Sequence, residues 1–320
     1  MNLANISTTI FKKLNSRLPG KRLKNKTIKP TEIFYEFYEE LRLQLDNPNY
    51  GIISFVFSKD RAMQLHAFLE SYFENVANYS TMIVLYKASD KAHLDSYEEL
   101  MKLFEDKSVI FIEEKNFRDQ LIEAIEKSKE GKIFFYVDDM IFTHKFDYDM
   151  LKGVNPYKTI VSLSRGRDLT KSTVLSKTIN LPEFTNLDNG LLQFSWNNIK
   201  EHSDWSYPLG VSGYMFATKE ILSIMKVISF KAPNSLENGM QQFKSIFIQR
   251  MGLCTENAVS ICVHANLTQT EGYNPVFGEF SIEELLDKWN EGYQIEYFKF
   301  YSKPVNAAQI QEYTFCQREG

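Results

Sequence analysis

From residue 52 onward, short apolar runs alternate with amphipathic stretches. The nearly continuous apolar runs are typical of strands buried on both faces, and they lie at 52–57, 82–86, 109–112 and 133–137. The stretches between them carry apolar residues at helical spacing and predict helices at 60–76, 93–105 and 117–129. This alternation predicts an α/β fold: a mostly parallel, Rossmann-like central sheet with helices on both faces.

The alternation stops near residue 150, and a loop-rich stretch follows. Further elements are predicted beyond it: strands at 158–164, 213–217 and 259–263, and helices at 218–227, 236–250 and 281–290. No internal repeat or linker interrupts the pattern. We therefore predict one domain over 49–300, with ligand-binding halves at 49–150 and 151–300 and a tail at 301–320.

The first 48 residues form a basic N-terminal extension. Eight Lys and Arg residues precede the first acidic residue, Glu32, and apolar residues at helical spacing predict a helix at 6–18. Two interpretations stay open for residues 1–30. They form either a peripheral contact with the anionic inner surface of the cell membrane or a basic segment that is solvated or packed on its own domain.

Composition restricts the class of protein. The 320 residues carry a net charge of −4, so no nucleic-acid partner is expected. The three cysteines are widely spaced, which favours reduced thiols over a disulfide framework or a zinc site. The sequence contains neither an apolar run long enough to span a membrane nor a signal-peptide pattern. We expect a cytoplasmic protein.

Two adjacent carboxylates, Asp138 and Asp139, follow the fourth predicted strand. Open α/β sheets bind ligands at the carboxyl ends of their strands. Mg²⁺ and Mn²⁺ prefer carboxylate oxygens and take only one or two from the protein. One Asp is thus able to meet a metal while its neighbour accepts a hydrogen bond from a ribose hydroxyl. A structural role for such a pair, in a loop or as a helix cap, stays open.

Other polar residues are predicted at the same edge of the sheet. Ser58, Asp60 and Arg61 follow the first strand, and Lys87 follows the second. Asp60 is either part of a binding site or the cap of the next helix. In the segment SLSRGRD (162–168), two arginines flank a glycine, which suits phosphate binding but equally suits surface pairing with Asp168.

Several segments together resemble a known family. The segments are FVFSKDRAMQL (55–65), FYVDDMIF (135–142), SLSRGRD (162–168), YPLGVSGYMF (207–216) and PNSLE (233–237). Their order and spacing are similar to those of GT-A glycosyltransferases, in particular the bacterial transferases that build surface polysaccharides such as capsule, lipopolysaccharide and O-antigen. FYVDDMIF resembles a divergent form of the metal-binding DxD motif of that family.

The resemblance implies a role for each of these segments. Asp139 and His264, which follows the run at 259–263, would hold a divalent metal, Mn²⁺ or Mg²⁺; a structural role for His264 stays open. A UDP- or GDP-sugar donor would be held by residues from several segments: Ser58, Asp60, Arg61, Lys87, Asp138, Arg165, Gly213 and Tyr214. Gly210 and Gly213 allow close approach of their backbone to a ligand, and Trp205 and Tyr207 either stack on a sugar or belong to the core.

Inverting glycosyl transfer needs a general base for the acceptor hydroxyl. Glu237 is the candidate catalytic residue, because it resembles the acidic residue beside the acceptor site in this family. Asn234 and Glu237 also form a capping-box pattern for the helix at 236–250, so both roles stay open. Asp204 and Glu220 are alternative bases.

The resulting hypothesis is a glycosyltransferase of the hexosyltransferase type. It would move a sugar from a nucleotide sugar to a glycan or lipid-linked saccharide in surface-polysaccharide synthesis. A sugar-phosphate nucleotidyltransferase is the second candidate, but the segment 58–61 lacks the glycines expected of its first loop. A non-catalytic carbohydrate-binding protein is the third.

Overall fold

A computed structural model describes residues 51–266, 268, 278–310 and 313–318. The basic extension at 1–48, its predicted helix and its predicted membrane contact lie outside the described residues. The described part contains seven α-helices: α1 (Ala62–Asn75), α2 (Lys91–Leu103), α3 (Phe117–Lys127), α4 (Thr218–Val227), α5 (Pro233–Met240), α6 (Lys244–Phe247) and α7 (Ile282–Asn290). None of the helices in these residues has the length and apolarity to cross a membrane.

The same residues form eighteen strands, most of them short. They are β1 (Ile52–Lys59), β2 (Val76–Ala77), β3 (Met82–Lys87), β4 (Val109–Glu113), β5 (Lys132–Val137), β6 (Met140–Phe142), β7 (Phe146–Asp147), β8 (Thr159–Ser162), β9 (Lys171–Ser172), β10 (Lys177–Thr178), β11 (Thr185–Asn186), β12 (Leu192–Ser195), β13 (Tyr214–Ala217), β14 (Met251–Cys254), β15 (Ser260–Val263), β16 (Tyr293–Ile295), β17 (Gln309–Ile310) and β18 (Phe315–Gln317).

Nine of these strands form the central sheet, in the order β11-β12-β14-β8-β13-β5-β1-β3-β4. The four strands β4, β3, β1 and β5 are parallel, as the alternating pattern predicts. The other half of the sheet is mixed. β13 runs antiparallel to both β5 and β8, β14 is parallel to β8, and β12 is antiparallel to β14. The predicted α/β class is confirmed.

Burial on both faces explains why the central strands have continuous apolar sequences. Alternate residues of a strand point to opposite faces. On one face the ring of Tyr136 lies 5.7 Å from that of Phe68 in α1. On the other face the ring centroid of Phe57 lies 5.7 Å from that of Phe135 and 5.1 Å from that of Phe117 in α3. Helices therefore cover both faces, as predicted for a doubly wound sheet.

Several parts of the second half differ from the sequence prediction, including the short strands β9 to β11 and β16 to β18, which were not predicted. The helix predicted at 236–250 begins earlier, at Pro233, and is interrupted after Met240 by a 3₁₀ turn before α6. The strands β12 and β14 were not predicted. They are only four residues long, and β14 includes Gly252, whose Cα lies so close to the Phe194 ring that a Cβ would be 2.2 Å from it. β12 alternates apolar and polar residues, but over four residues this pattern is too short to predict a strand.

A separate three-stranded sheet, β17-β15-β6, connects the end of β5 to the C-terminal part of the chain. β6 follows the Asp138–Asp139 pair directly, and β15 pairs with it in antiparallel register. The Val263 amide also donates to the Asp139 carbonyl at 2.7 Å. This pairing places the residues that follow β15 beside the acidic pair.

Candidate active site

The buried pair Asp138–Asp139 lies between the ends of β5 and β1. The Asp138 amide donates to the Phe57 carbonyl at 3.1 Å, which continues the ladder between the two strands. Arg61, the residue before α1, points its guanidinium at both carboxylates. Its Nη1 lies 3.0 Å from Asp138 Oδ1 and 3.3 Å from Asp139 Oδ2. The structure therefore brings the predicted residues Arg61, Asp138 and Asp139 together.

The rest of the Arg61 side chain is held by residues that the sequence did not single out. Its Nε donates to Asn266 Oδ1 at 2.9 Å, and its Nη2 donates to the Asn266 carbonyl. Gln64 Nε2 donates to the same Oδ1 at 3.1 Å. The Tyr97 hydroxyl accepts from the Arg61 amide at 3.1 Å and bonds Ser58 Oγ at 2.6 Å. No local pattern marks Asn266 or Tyr97, because each reaches the site from a distant element.

The electrostatics of the pair are unusual for carboxylates. Burial raises the pKa of Asp138 to about 6; Arg61 opposes this shift and the neighbouring Asp139 adds to it. Two adjacent carboxylates inside a protein repel each other, and one guanidinium neutralises only part of their charge. Additional positive charge at this position would be stabilised.

Asp139 and His264 are the residues that fit a divalent cation. Asp139 Oδ1 is buried and has no hydrogen-bond partner among the described residues, and Nδ1 of His264 lies 3.5 Å from Oδ2 of the same carboxylate. The described residues hold no group of three or more His, Cys, Asp or Glu arranged for a metal. A cation here would take two ligands from the chain, and its other ligands would come from water or a bound diphosphate.

Asp60 is hydrogen-bonded to Ser89, which follows the neighbouring strand β3, and it does not cap α1. It has a φ of 55°, and its carboxylate accepts from both the amide and the hydroxyl of Ser89 at 2.7 Å. No side chain caps the start of α1 at Arg61, so the helix-cap interpretation of Asp60 is wrong. Lys87 is half exposed and pairs with Glu114 at 3.2 Å. The described contacts do not join it to the acidic pair.

Arg165 is buried and hydrogen-bonded within the protein, whereas an arginine that binds phosphate in an open site would be exposed. Its Nη1 donates to Ser162 Oγ at 2.9 Å, and its Nη2 donates to the carbonyls of Asp204 and Tyr207. Only Nε has no hydrogen-bond partner. Arg167 pairs with Glu256 at 3.1 Å, so the predicted pairing of the arginines with Asp168 is not observed. The phosphate-binding role of Arg165 stays a prediction, and these contacts explain the residue as a structural one.

The tryptophans are core residues. Trp205 is fully buried, donates from Nε1 to the Leu169 carbonyl at 3.1 Å and packs its ring 5.1 Å from Phe194. The interpretation of Trp205 as a sugar-stacking residue is therefore wrong. Tyr214 is also buried, and its hydroxyl donates to the Tyr207 carbonyl at 2.7 Å.

The two glycines near Tyr214 make room for protein side chains. Gly213 has a φ of +78°, and a Cβ there would lie 3.0 Å from Met140 Cε and 3.1 Å from Ser164 Oγ. Gly210 packs against the Tyr214 ring, where a Cβ would lie 2.4 Å from a ring atom. The neighbours of both glycines are residues of this chain, and the close approach of a ligand to their backbone stays a prediction.

Glu237 does not cap its helix. Ser235, together with the Ala232 backbone, makes the capping bonds of α5, which has Pro233 at its first position. The Glu237 carboxylate instead accepts from the Tyr207 hydroxyl and from the Val211 amide, both at 2.8 Å. Burial raises the pKa of Glu237, and these two donors and Arg165 partly oppose the shift.

The buried thiol of Cys262 interacts electrostatically with both acidic regions, the Asp138–Asp139 pair and Glu237. The pKa of Cys262 is raised well above its usual range, first by burial and then by Asp139, with smaller contributions from Glu237 and Asp138. The segment that bonds Glu237 also pairs with β5, the strand that the acidic pair follows. Val211 donates to Glu237, and the amide of Gly213, two residues later, donates to the Phe135 carbonyl at 2.8 Å.

The alternative bases have different environments. Glu220 is buried in a two-bond ion pair with Arg250, whose Nη1 lies 2.7 Å from Glu220 Oε2. This pairing makes Glu220 a structural residue. Asp204 lies in the loop that holds Tyr207, and its buried Oδ2 has no hydrogen-bond partner.

A small cleft with a volume of about 10 Å³ lies beside Arg61. It is lined by Asp60 and by residues of α1, α2 and α7, among them Gln64, His93, Ser96 and Trp289. His93 bonds Asp90 at 2.9 Å through Nδ1, whereas its buried Nε2 has no partner. A space of this size holds about one water molecule and provides no subsite for part of a nucleotide.

Comparison with known proteins gives one informative sequence similarity. No family model matches the chain. Over 196 residues it is 26% identical to the bifunctional glycosyltransferase pgtA of Dictyostelium discoideum, an alignment covering 56% of this chain and 25% of the relative. The chain thus spans a quarter of that relative's length. The resemblance to glycosyltransferases predicted from the sequence is confirmed by this similarity.

Solved structures of glycosyltransferases also align, at low identity. S. aureus TarS 1–349 in complex with UDP-GlcNAc matches with a TM-score of 0.42 and 11% identity, covering 69% of this chain and 59% of that one. The bifunctional WbbM apo structure matches with a TM-score of 0.36 and 12% identity, covering 78% and 51%. Since both scores lie below 0.5, no residue role is taken from these alignments.

Proposed function

We propose that this protein is a GT-A glycosyltransferase that moves a sugar from a nucleotide-sugar donor to a glycan acceptor. The observation that carries the proposal is the convergence of Arg61, Asp138, Asp139 and His264 at the carboxyl ends of β1 and β5, with one carboxylate oxygen unsatisfied. This is the position at which open α/β sheets bind nucleotides. The similarity to pgtA supports the same class of reaction.

Arg61, Asp138, Asp139 and His264 are proposed to bind the donor. Arg61 offers N–H groups and positive charge to a diphosphate, and Asp138 accepts a hydrogen bond from a ribose hydroxyl. Mn²⁺ or Mg²⁺, when held by Asp139 and His264, would neutralise charge on the departing diphosphate.

Glu237 is the proposed base. Each of its oxygens accepts one hydrogen bond from the protein and keeps a lone pair for an acceptor hydroxyl. In the transfer, the acceptor oxygen forms a bond to the anomeric carbon, the bond from that carbon to the diphosphate breaks, and the hydroxyl proton passes to Glu237. Attack from the face opposite the diphosphate gives inversion.

The finer assignments depend on the sequence resemblance. We propose a UDP- or GDP-sugar as donor and a glycan or lipid-linked saccharide of a bacterial surface polysaccharide as acceptor. The work would take place in the cytoplasm, with the basic residues 1–30 against the inner membrane surface. These residues lie outside the described part of the chain.

A panel of UDP- and GDP-sugars tests the proposal on the full chain, with Mn²⁺ and with EDTA. We expect one donor to raise the thermal unfolding temperature in Mn²⁺ and to release free nucleoside diphosphate when an acceptor is present. Release of pyrophosphate from a nucleoside triphosphate and a sugar phosphate would instead indicate a nucleotidyltransferase. Absence of any response, with or without metal, would contradict both enzyme assignments.

A further inference from the structure

The Glu237 carboxylate is held from one side by a single loop. Tyr207 donates its hydroxyl to Oε1, and Val211, four residues later, donates its amide to Oε2. Both oxygens of the carboxylate thus accept from the same short segment, 207–211. Glu237 itself is on α5, a different element.

The segment is held in place by the buried Arg165. The Tyr207 carbonyl accepts from Arg165 Nη2 at 3.2 Å and from the Tyr214 hydroxyl at 2.7 Å. The guanidinium lies 5.0 Å from the Tyr214 ring and 5.4 Å from the Trp196 ring, which keeps it in one position. A charged side chain is buried only at a cost unless it is well hydrogen-bonded. Two of the Arg165 hydrogen bonds go to the Asp204 and Tyr207 carbonyls of this loop, and a third goes to Ser162 Oγ.

The groups that interact electrostatically with the Glu237 carboxylate come from several elements. Tyr207 and the Val211 amide belong to the loop, Arg165 follows β8, Tyr214 begins β13 and Cys262 lies in β15. Arg165 is the only cation among these groups. Tyr207 is the only side chain among them that donates to the carboxylate in the described contacts.

We infer that Tyr207 is a positioning residue for Glu237, and that the buried Arg165 acts on the reaction through Tyr207 and not by binding phosphate. The inference rests on the proposed function, in which Glu237 accepts the acceptor proton. Tyr207 orients the carboxylate and keeps it ionised, because a donated hydrogen bond favours the charged form.

Tyr207→Phe removes the donor and keeps the ring. In the pH dependence of kcat/KM, we expect the acidic limb to move to higher pH by about one unit, because one hydrogen bond to a charged group is lost. The kcat should fall about tenfold while the KM for the donor stays unchanged, because Tyr207 is on the acceptor side of the site. Arg165→Lys, which keeps the charge but not the planar fork, should shift the limb in the same direction.

Tyr301→Phe is the matched control. Tyr301 donates to Glu74 Oε2 at 2.9 Å, so this variant also removes a Tyr–Glu hydrogen bond. Glu74 lies thirteen residues along α1 from Arg61, about 20 Å away along the helix axis. The control should leave the acidic limb in place.

A ¹³C NMR titration of the Glu237 side chain, assigned with Glu237→Gln, gives a readout without turnover. A higher Glu237 pKa in Tyr207→Phe together with the shifted kcat/KM limb supports the inference. Turnover with an unmoved limb, or an unmoved Glu237 pKa, overturns it and leaves the proposed function standing. Absence of turnover in the unaltered protein with every donor overturns the proposed function, and the catalytic part of the inference with it.

Discussion

The guanidinium of Arg61 lies 3.0 Å from the carboxylate of Asp138, and both side chains are at least nine-tenths buried. The two residues follow β1 and β5, which are neighbours in the central sheet. This ion pair therefore joins the carboxyl ends of two parallel strands. It also partly neutralises the charge of the acidic pair.

The first prediction concerns the removal of this cation. Arg61→Gln leaves Asp138 and Asp139 buried side by side without positive charge, and breaking a buried pair costs about 3–5 kcal/mol. We expect a loss of this size in the free energy of unfolding at pH 8, measured with urea in EDTA. At pH 5 the loss should be smaller, because protonation of Asp138 removes the repulsion.

Lys87→Gln is the control for this variant. The Lys87 ammonium is half exposed and pairs with Glu114, and such pairs contribute about 0–1 kcal/mol. Equal losses in the two variants, or a loss in Arg61→Gln that does not change with pH, would show that the buried pair is not the cause.

The second prediction concerns the pH dependence of stability. Burial raises the pKa of Asp138 to about 6 in the folded protein, above the ordinary value of 3.8 for an aspartate. The folded state thus binds a proton at Asp138 more tightly than the unfolded state does. This contribution to stability is present below about pH 4 and is lost as the pH rises through 6. Over this range it changes the free energy of unfolding by about 3 kcal/mol.

Asp138→Asn removes this contribution. In metal-free buffer, the free energy of unfolding should fall less between pH 4 and 6 in the variant than in the unaltered protein. Glu220 and Glu237 also have raised pKa values and contribute slopes of the same sign in both proteins. Identical slopes in the two proteins would contradict the assignment to Asp138.

The third prediction concerns the proposed metal ligands. Asp139→Asn removes the charge of the carboxylate whose Oδ1 has no partner. We expect the affinity of the Asp139→Asn variant for Mn²⁺ to be about 100-fold lower than that of the unaltered protein, equivalent to about 3 kcal/mol. Calorimetry in the presence of a nucleoside diphosphate measures both affinities. His264→Ala should weaken Mn²⁺ binding by a smaller factor, because a neutral ligand is lost.

An exposed carboxylate provides the comparison. Asp149→Asn removes a surface charge that pairs with Lys152, and it should leave Mn²⁺ binding unchanged. If Asp139→Asn binds Mn²⁺ as tightly as Asp149→Asn does, the proposed metal site is wrong.

The fourth prediction separates Glu220 from catalysis. Glu220→Gln leaves Arg250 buried without its charged partner, which costs about 3–5 kcal/mol. The double variant Glu220→Leu with Arg250→Met should recover much of this loss, because replacing a buried ion pair by apolar residues is often nearly neutral. Chemical denaturation measures both. A fully stable Glu220→Gln variant without turnover would instead indicate a catalytic role for Glu220.

Part of the site was predictable because its residues follow recognisable strands. Asp138 and Asp139 follow an apolar run, Arg61 follows another, and parallel strands bring their carboxyl ends to one edge. The proximity of His264 to Asp139 was anticipated from the family resemblance, and the structure places the two side chains 3.5 Å apart. The roles predicted for these residues remain to be measured.

The sequence by itself determined the first half of the fold and the position of the acidic pair, because apolar periodicity is a local property of the chain. Only the tertiary structure decided the partners of each polar group. Asn266 meets Arg61 across 205 positions, Glu237 bonds Tyr207 instead of capping its own helix, and Arg165 turns inward. These choices depend on how β6, β13 and β15 pack together, and no local pattern records that packing.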